Sequence, residues 1–359
     1  MCDTLVVRAT DHVLFAKNSD RPAIEPQVIE SFGRRIPSAS LRTQYLDLAD
    51  AGAAATVLAR PDWLWGAEHG VNEWGVAIGN EKLPSRGGNR VDAEPSLIGM
   101  DLVRLALERS RTAAEAVETI CGLVGEHGQR GVADSWRGIG YDSAFLVADR
   151  TDAWIVETHD REFVTRRVDG PGAAISNSYS LSPRIAPEDW TDPEVDPTRA
   201  SRRLACTLPA ALAGSATPAA VAPLLRDHGD GSGMSVCMHW EGDLATTSSM
   251  IVTLPTDGPA PIRAWFAPGS PCVSVYVPAW PTQHPLPRTL SEVAVWHRFD
   301  RLRRRTEATP SELAVVQAVM APLEDELWAE ADALDLDRVD EWNDSVDRRI
   351  DAALTGLGE

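Results

Sequence analysis

The chain has 359 residues, 43% hydrophobic and 24% charged, the composition of a folded protein with a full core and not of a disordered or collagen-like chain. Its 34 basic residues face 53 acidic ones, a net charge of −19 with a pI near 4.8, which repels phosphate backbones and anionic membrane faces and argues against a nucleic-acid partner. No apolar run approaches the roughly 18 residues of a spanning helix, and no basic segment leading into an apolar one opens the chain, so a soluble, cytoplasmic protein with no membrane partner is expected.

In chain order, Asp3–Arg8 and His12–Lys17 are β-rich runs around a polar turn at Ala9–Asp11, which predicts a hairpin. Ala55–Leu58 and Gly75–Gly79 read as further strands. Leu97–Arg109 carries helical apolar spacing, and Thr112–His127 opens with a Thr112-x-x-Glu115 capping box and stops at Gly128. After a glycine-rich loop, Ala144–Val147, Ala153–Glu157, Phe163–Val168 and Ala173–Ser176 are spaced as a meander. Pro183–Pro197 is a surface excursion, followed by helices over Arg199–Leu212 and Pro218–Arg226. Strands return at Ser235–His239, Ser249–Leu254, Ile262–Phe266 and Val273–Val277, and the pattern is helical from Leu290 onward. This order predicts an α+β layered domain over residues 2–280 and an acidic helical extension over 288–359 docked on it, not a strictly alternating βαβα fold. The extension explains most of the charge, because Glu307–Glu359 holds 15 acidic against 3 basic residues.

The five cysteines are odd in number and widely spaced, without a C-x-x-C, which argues against a disulfide framework or a structural zinc site. Cys237-x-His239 has the look of a metal pair, but a zinc site needs three or four ligands, and alternate residues on a strand face pack together as easily. Asp227–Gly233 lacks the spacing of a calcium loop and reads as a solvated turn. Phosphate-binding glycine loops, G-x-S-x-G and H-E-x-x-H are absent. No metal or organic cofactor is expected.

Cys2 is chemically different from the other four. If Met1 is removed, one residue supplies both a thiol and an α-amine whose pKa of about 7.7–8.0 makes it a usable base near neutral pH. A frayed terminus is the bland alternative, but Cys2 leads straight into a β-run. A dense polar cluster, Lys17-Asn-Ser-Asp-Arg-Pro22, ends the hairpin partner, where Lys17 and Asp20 could hold the amine and lower the thiol pKa. Lys17 is one of only two lysines in the chain, the other being Lys82. The segment Arg60–Glu81 sets Trp63, Trp65, Asn72 and Asn80 among glycines, a composition that suits a pocket wall or a tryptophan-bearing core.

These residues carry a resemblance. Cys2-Asp3-Thr4, Lys17-Asn-Ser-Asp-Arg-Pro22, Trp63-Leu-Trp-Gly-Ala-Glu68, Asn72-Glu-x-Gly75, Gly79-Asn-Glu81, Ile175-Ser-Asn177, Ser235-Val-Cys-Met-His239 and Thr247-Ser-Ser-Met-Ile251, in order over about the first 280 residues, resemble the secernin and dipeptidase family of N-terminal nucleophile (Ntn) hydrolases. The resemblance implies a four-layer αββα sandwich and a distant likeness to choloylglycine hydrolase and penicillin V acylase. It implies Cys2 as nucleophile and base, Lys17 where that branch has arginine, Asp20 as the acid on the nucleophile's amine, and Asn72 and Asn177 as oxyanion donors. Arg21, Trp63, Trp65 and Ser249 are the substrate-binding candidates, Ser249 standing where that branch has an active-site arginine, which favours a dipeptidase over bile-salt or penicillin chemistry. The expected substrate is a small peptide or amide. An acylase or acyltransferase using the same Cys2, and a non-catalytic secernin-like regulator, stay open, as does a homo-oligomer.

Overall fold

The structure, a computed structural model, describes residues 1–181, 186, 189–240, 243–257 and 260–359. The predicted hairpin is present: β1 (Cys2–Arg8) and β2 (His12–Pro22) pair antiparallel, and the Ala9 amide donates to His12 O across the turn. Both strands lie inside a sheet. β1 is flanked by β12 (Gly172–Ile175) and β2, and β2 is followed by β14 (Leu244–Pro255), β15 (Arg263–Pro268) and β16 (Val277–Ala279), with the two-residue β13 (His239–Trp240) paired to β14. A second seven-stranded sheet runs β11 (Glu162–Arg167), β10 (Ala153–His159), β9 (Asp142–Ala148), β8 (Ala77–Leu83), β7 (His69–Asn72), β6 (Thr56–Pro61), β3 (Gln27–Phe32). A small β4–β5 ribbon (Leu41–Arg42, Asp47–Leu48) stands apart.

Strand alternation builds the layers. Val6, Phe15 and Val252 meet Val57, Val71, Ala77 and Leu146 between the sheets. Their neighbours Leu5, Val7, Leu14, Ala16 and Ile251 face the other way, onto Ala211 of α3 (Thr198–Leu212) and Val221, Ala222 and Leu225 of α4 (Pro218–Leu225). On the far side of the second sheet, Leu58, Ile78, Val147 and Val156 pack on α1 (Gly99–Arg109) and α2 (Ala113–His127). The result is helix, sheet, sheet, helix: the four-layer αββα sandwich. The cap signals hold at both ends, because Thr112 accepts from the Glu115 amide and Gly128 ends α2 at φ 74°, but the return bond of the capping box does not form: the Glu115 carboxylate accepts from the Arg111 amide instead.

After the short α5 (Arg288–Ser291), helices α6 (Val293–Ala308), α7 (Glu312–Asp332) and α8 (Val339–Gly356) bring Phe299, Leu302, Met320, Leu327, Val346 and Ile350 into the same cluster as Phe266 and Val277.

Two predicted strands shrink. Over Ser235–His239 only His239 is in a strand, because the Cys237 amide turns back to Asp227 O and the His239 amide to Gly233 O. Val273–Val277 becomes strand only at Val277, since the Val273 amide closes a turn onto Ser270 O after Gly269 at φ 71°.

Candidate active site

The chain terminus is not frayed, because the β1–β2 ladder continues past the first residue. Cys2 opposes Ser19, the Met1 amine donates to Asp20 O at 2.8 Å, and the Asp20 amide returns a bond to Met1 O at 2.8 Å. The Cys2 amide donates to Asn177 Oδ1 at 2.7 Å, two residues past β12. Cys2 is 3% exposed.

Alternation then decides what sits beside the thiol. Thr4, on the same face of β1, donates to Glu81 Oε1, and Lys17 opposes Thr4 across the ladder. The fully buried Lys17 ammonium donates to Asn80 O at 2.6 Å and to Glu81 Oε1 at 3.4 Å. Gly79 makes this fit possible, since a Cβ there would lie 2.5 Å from Lys17 Cδ. Burial pushes the Cys2 thiol above its ordinary value, and the Lys17 and Met1 cations pull the other way. Burial opposes the charge on Lys17, but Cys2, Glu81 and Glu68 outweigh it, and the ammonium is held above its ordinary value. Burial lowers the Met1 amine, toward the neutral form that a base needs.

A cavity of about 290 Å³ opens beside this cluster, walled by Cys2, Asp20, Asn177, Lys82, Tyr141 and Arg203, with Met1 itself lining it. Asp20 accepts from Thr246 Oγ1 at 2.7 Å, its second carboxylate oxygen has no partner, and burial raises its pKa. Arg203, from α3, is 1% exposed and donates to Asp3 Oδ2 at 2.7 Å, Ser176 Oγ at 2.9 Å and Asn177 Oδ1 at 2.6 Å. Asn177 is thereby a clamp: its oxygen receives Cys2 and Arg203, and its Nδ2 donates to Lys82 O at 2.8 Å. Arg21 lines the cavity, its guanidinium held by Glu25 at 2.5 Å, Glu68 at 2.8 Å and the Tyr141 hydroxyl at 3.1 Å.

No family model matches the sequence. In three dimensions the chain is similar to a C2A mutant of the conjugated bile acid hydrolase from Clostridium perfringens, at TM-score 0.50 and 12% identity, covering 75% of this chain and 89% of that one. A second variant of that enzyme gives TM-score 0.50 at 13% identity over 74% and 89%. Penicillin V acylase from Agrobacterium tumefaciens gives 0.48 at 14% identity over 75% and 83%. The fold is the Ntn-hydrolase fold. The likeness to secernins rests on the sequence motifs alone.

Within the Ntn fold, the structure gathers Cys2, Lys17, Asp20, Arg21 and Asn177 in one place and sends the other four candidates elsewhere. Asn72 is a turn-former: its Oδ1 accepts from the Trp74 and Val76 amides, and its Nδ2 donates to Leu107 O and Ser110 O at the end of α1. All its bonding capacity is spent on backbone, so it is not an oxyanion donor at Cys2. Ser249 opposes Asn18, not Lys17, and bonds Asn18 Oδ1 at 2.6 Å and the Tyr276 hydroxyl at 2.7 Å, on the helix-covered face of the first sheet. Trp63 donates to Glu25 and packs beside Leu64 and Met100, while Trp65 lies under the Arg104 guanidinium at 4.4 Å; neither lines the cavity. Sequence reasoning missed Tyr141, Arg203 and Trp240 on the cavity wall. A buried arginine among 32 has no local signature, but Lys82, one of two lysines, was conspicuous.

Proposed function

We propose that this protein is a cysteine amidohydrolase of the Ntn type, cleaving small peptide bonds, with dipeptides as the substrate class, once Met1 has been removed. The observation that carries the reading is Cys2, pinned at the start of an interior strand on a cavity wall, with the Lys17 ammonium buried beside its thiol. In this mechanism the freed α-amine of Cys2 takes the thiol proton, and the thiolate, favoured by Lys17, attacks the carbonyl carbon. The resulting ammonium protonates the leaving amine. Water then hydrolyses the thioester, with the Cys2 amine as base, and the carboxylic acid departs. Asp20 O, which receives the Met1 amine, and Asn177 Oδ1, which receives the Cys2 nitrogen, are the acceptors at hand to orient the new terminus.

A cavity of about 290 Å³ is at the small end for organic ligands, which supports a substrate the size of a dipeptide. Among the described residues no carboxylate pairs with Lys82, whose ammonium lies 5.4 Å from the Tyr141 ring centre, so the wall offers a cation to a substrate carboxylate.

Intact-mass measurement combined with a panel of dipeptides and N-acyl amino acids, on wild type and Cys2→Ala, tests the reading. Loss of Met1, one thiol whose alkylation stops turnover, and no turnover by Cys2→Ala are expected. Turnover that survives Cys2→Ala, or an active enzyme that retains Met1, would refute it.

A further inference from the structure

Away from the cavity, the Cys237-x-His239 pair acquires the two further donors that its sequence context lacked. The turn at His228, the Cys237–His239 segment and the Ser270–Ser274 turn after β15 converge, so that one ligand atom each from His228, Cys237, His239 and Cys272 all lie within 4.8 Å of one another. Both sulfurs point at one nitrogen: Cys237 Sγ is 3.3 Å and Cys272 Sγ 3.2 Å from His239 Nε2. Tetrahedral zinc, with Zn–S about 2.3 Å and Zn–N about 2.0–2.1 Å, sets its ligand atoms roughly 3.3–3.8 Å apart. The His228 ring stands edge-on to His239 at 4.8 Å, and its Nε2 is buried without a hydrogen-bond partner.

The surroundings also fit. His239 Nδ1 faces Glu307 Oε1 at 2.9 Å, and Glu307 is held in turn by Arg303 at 2.6 Å. A carboxylate on Nδ1 fixes the proton there and leaves the Nε2 lone pair for a metal, the usual outer-sphere arrangement of a ligating histidine. Cys237 and Cys272 are free, and both are buried. A groove lined by His228, His239 and Glu307 gives an entry path from solvent.

We propose that His228, Cys237, His239 and Cys272 bind a structural zinc ion. Two thiolates and two neutral imidazoles select zinc by donor softness and balance its charge. Four protein ligands leave no open position for a substrate, so the ion staples and does not catalyse. On binding, each thiol releases its proton to solvent as its sulfur–zinc bond forms, with no change in oxidation state. The staple ties the His228 turn and the Ser270–Ser274 turn together and, through Glu307, reaches α6. The segment it holds runs directly into Trp240 on the cavity wall.

Metal analysis of the reduced full-length protein, followed by cobalt titration after chelation, tests this. About one zinc per chain is expected, with thiolate-to-cobalt charge-transfer and tetrahedral ligand-field bands on titration, and a lowered melting temperature after chelation. The bands should vanish in Cys237→Ser/Cys272→Ser and persist in Cys2→Ala, which separates this site from the hydrolase reading. If the double variant fails to fold, the wild-type cobalt spectrum still decides. Protein purified without metal that gives no cobalt bands, a Cys237–Cys272 disulfide in the native protein, or bands that survive in a folded double variant would overturn the proposal.

Discussion

Lys82 stands on the cavity wall as a cation without a carboxylate partner among the described residues. Burial lowers its pKa, with Asp134 opposing and Arg137 adding to the effect, so a bound carboxylate would relieve an existing strain on the charge. Charge-assisted hydrogen bonds contribute about 1.5–3 kcal/mol, on the order of 10- to 100-fold in binding. Lys82→Met should therefore reduce kcat/KM for dipeptides by about that factor and leave C-terminally amidated dipeptides little changed. Equal losses on both substrates, read from paired kinetic measurements, would show that Lys82 does not hold the carboxylate. Asn177 came only with the family resemblance, whereas Cys2 and Asp20 were legible in the sequence because a β-run leads out of one and into the dense polar cluster that holds the other. Ser249 was not, because a bulge between Thr246 and Ser248 shifts the β14 register and with it the face that Ser249 occupies. Asn72 misled for a different reason: an asparagine three residues before a positive-φ glycine, Gly75, is first of all a turn residue.

At the scale of elements, the site depends on how closely two sheets approach. Gly79 of β8 lies against the Lys17 side chain of β2, with Thr4 Oγ1 also 3.2 Å from where a Cβ would be. Gly79→Ala should leave the strands in place and push the flexible Lys17 stem away from Cys2. Since Lys17 lowers the thiol pKa, its displacement moves that pKa up. The rate of Cys2 alkylation as a function of pH should then show its inflection at higher pH than wild type; an unmoved inflection would mean that Lys17 does not set the thiol's reactivity. Elements with local signals, such as the capped α2 and the β1–β2 hairpin, were readable from sequence. β7 (His69–Asn72) was not: four residues with a glycine and two polar side chains form a strand only because sheet neighbours exist on both sides. The His/Cys cluster was half legible: Cys237-x-His239 stood out in the sequence, but Cys272 joins His239 only through the fold.

Across the whole molecule, the packed layers enclose carboxyl groups whose charge the fold resists. Asp3, despite Arg203, and Asp101, despite its bonds from the Ile98 and Gln44 amides, are each pushed by burial from 3.8 up to about 7. A carboxyl that binds its proton more tightly in the folded chain costs stability as pH rises from its unfolded to its folded pKa. Asp101→Asn keeps the oxygen that accepts from the Ile98 amide and removes the titration. Its stability relative to wild type, measured by denaturant unfolding, should improve from about pH 4 to about pH 7 and level off above that. A constant difference over that range would place the Asp101 pKa at its ordinary value.

The position of β1 has a consequence for the timing of maturation. Met1 is bonded through both its amine and its carbonyl to Asp20, and the strand that follows is enclosed by β12 on one side and β2 with β14 on the other. Those flanking residues, Gly172–Ile175 and Leu244–Pro255, are translated long after Met1 leaves the ribosome. An aminopeptidase therefore meets a free terminus on the nascent chain and, on the finished fold, one held by two backbone hydrogen bonds at the cavity wall. Under the proposed mechanism, loss of Met1 is then a race between trimming and folding, and a chain that folds first has its Cys2 amine still capped and held in the sheet.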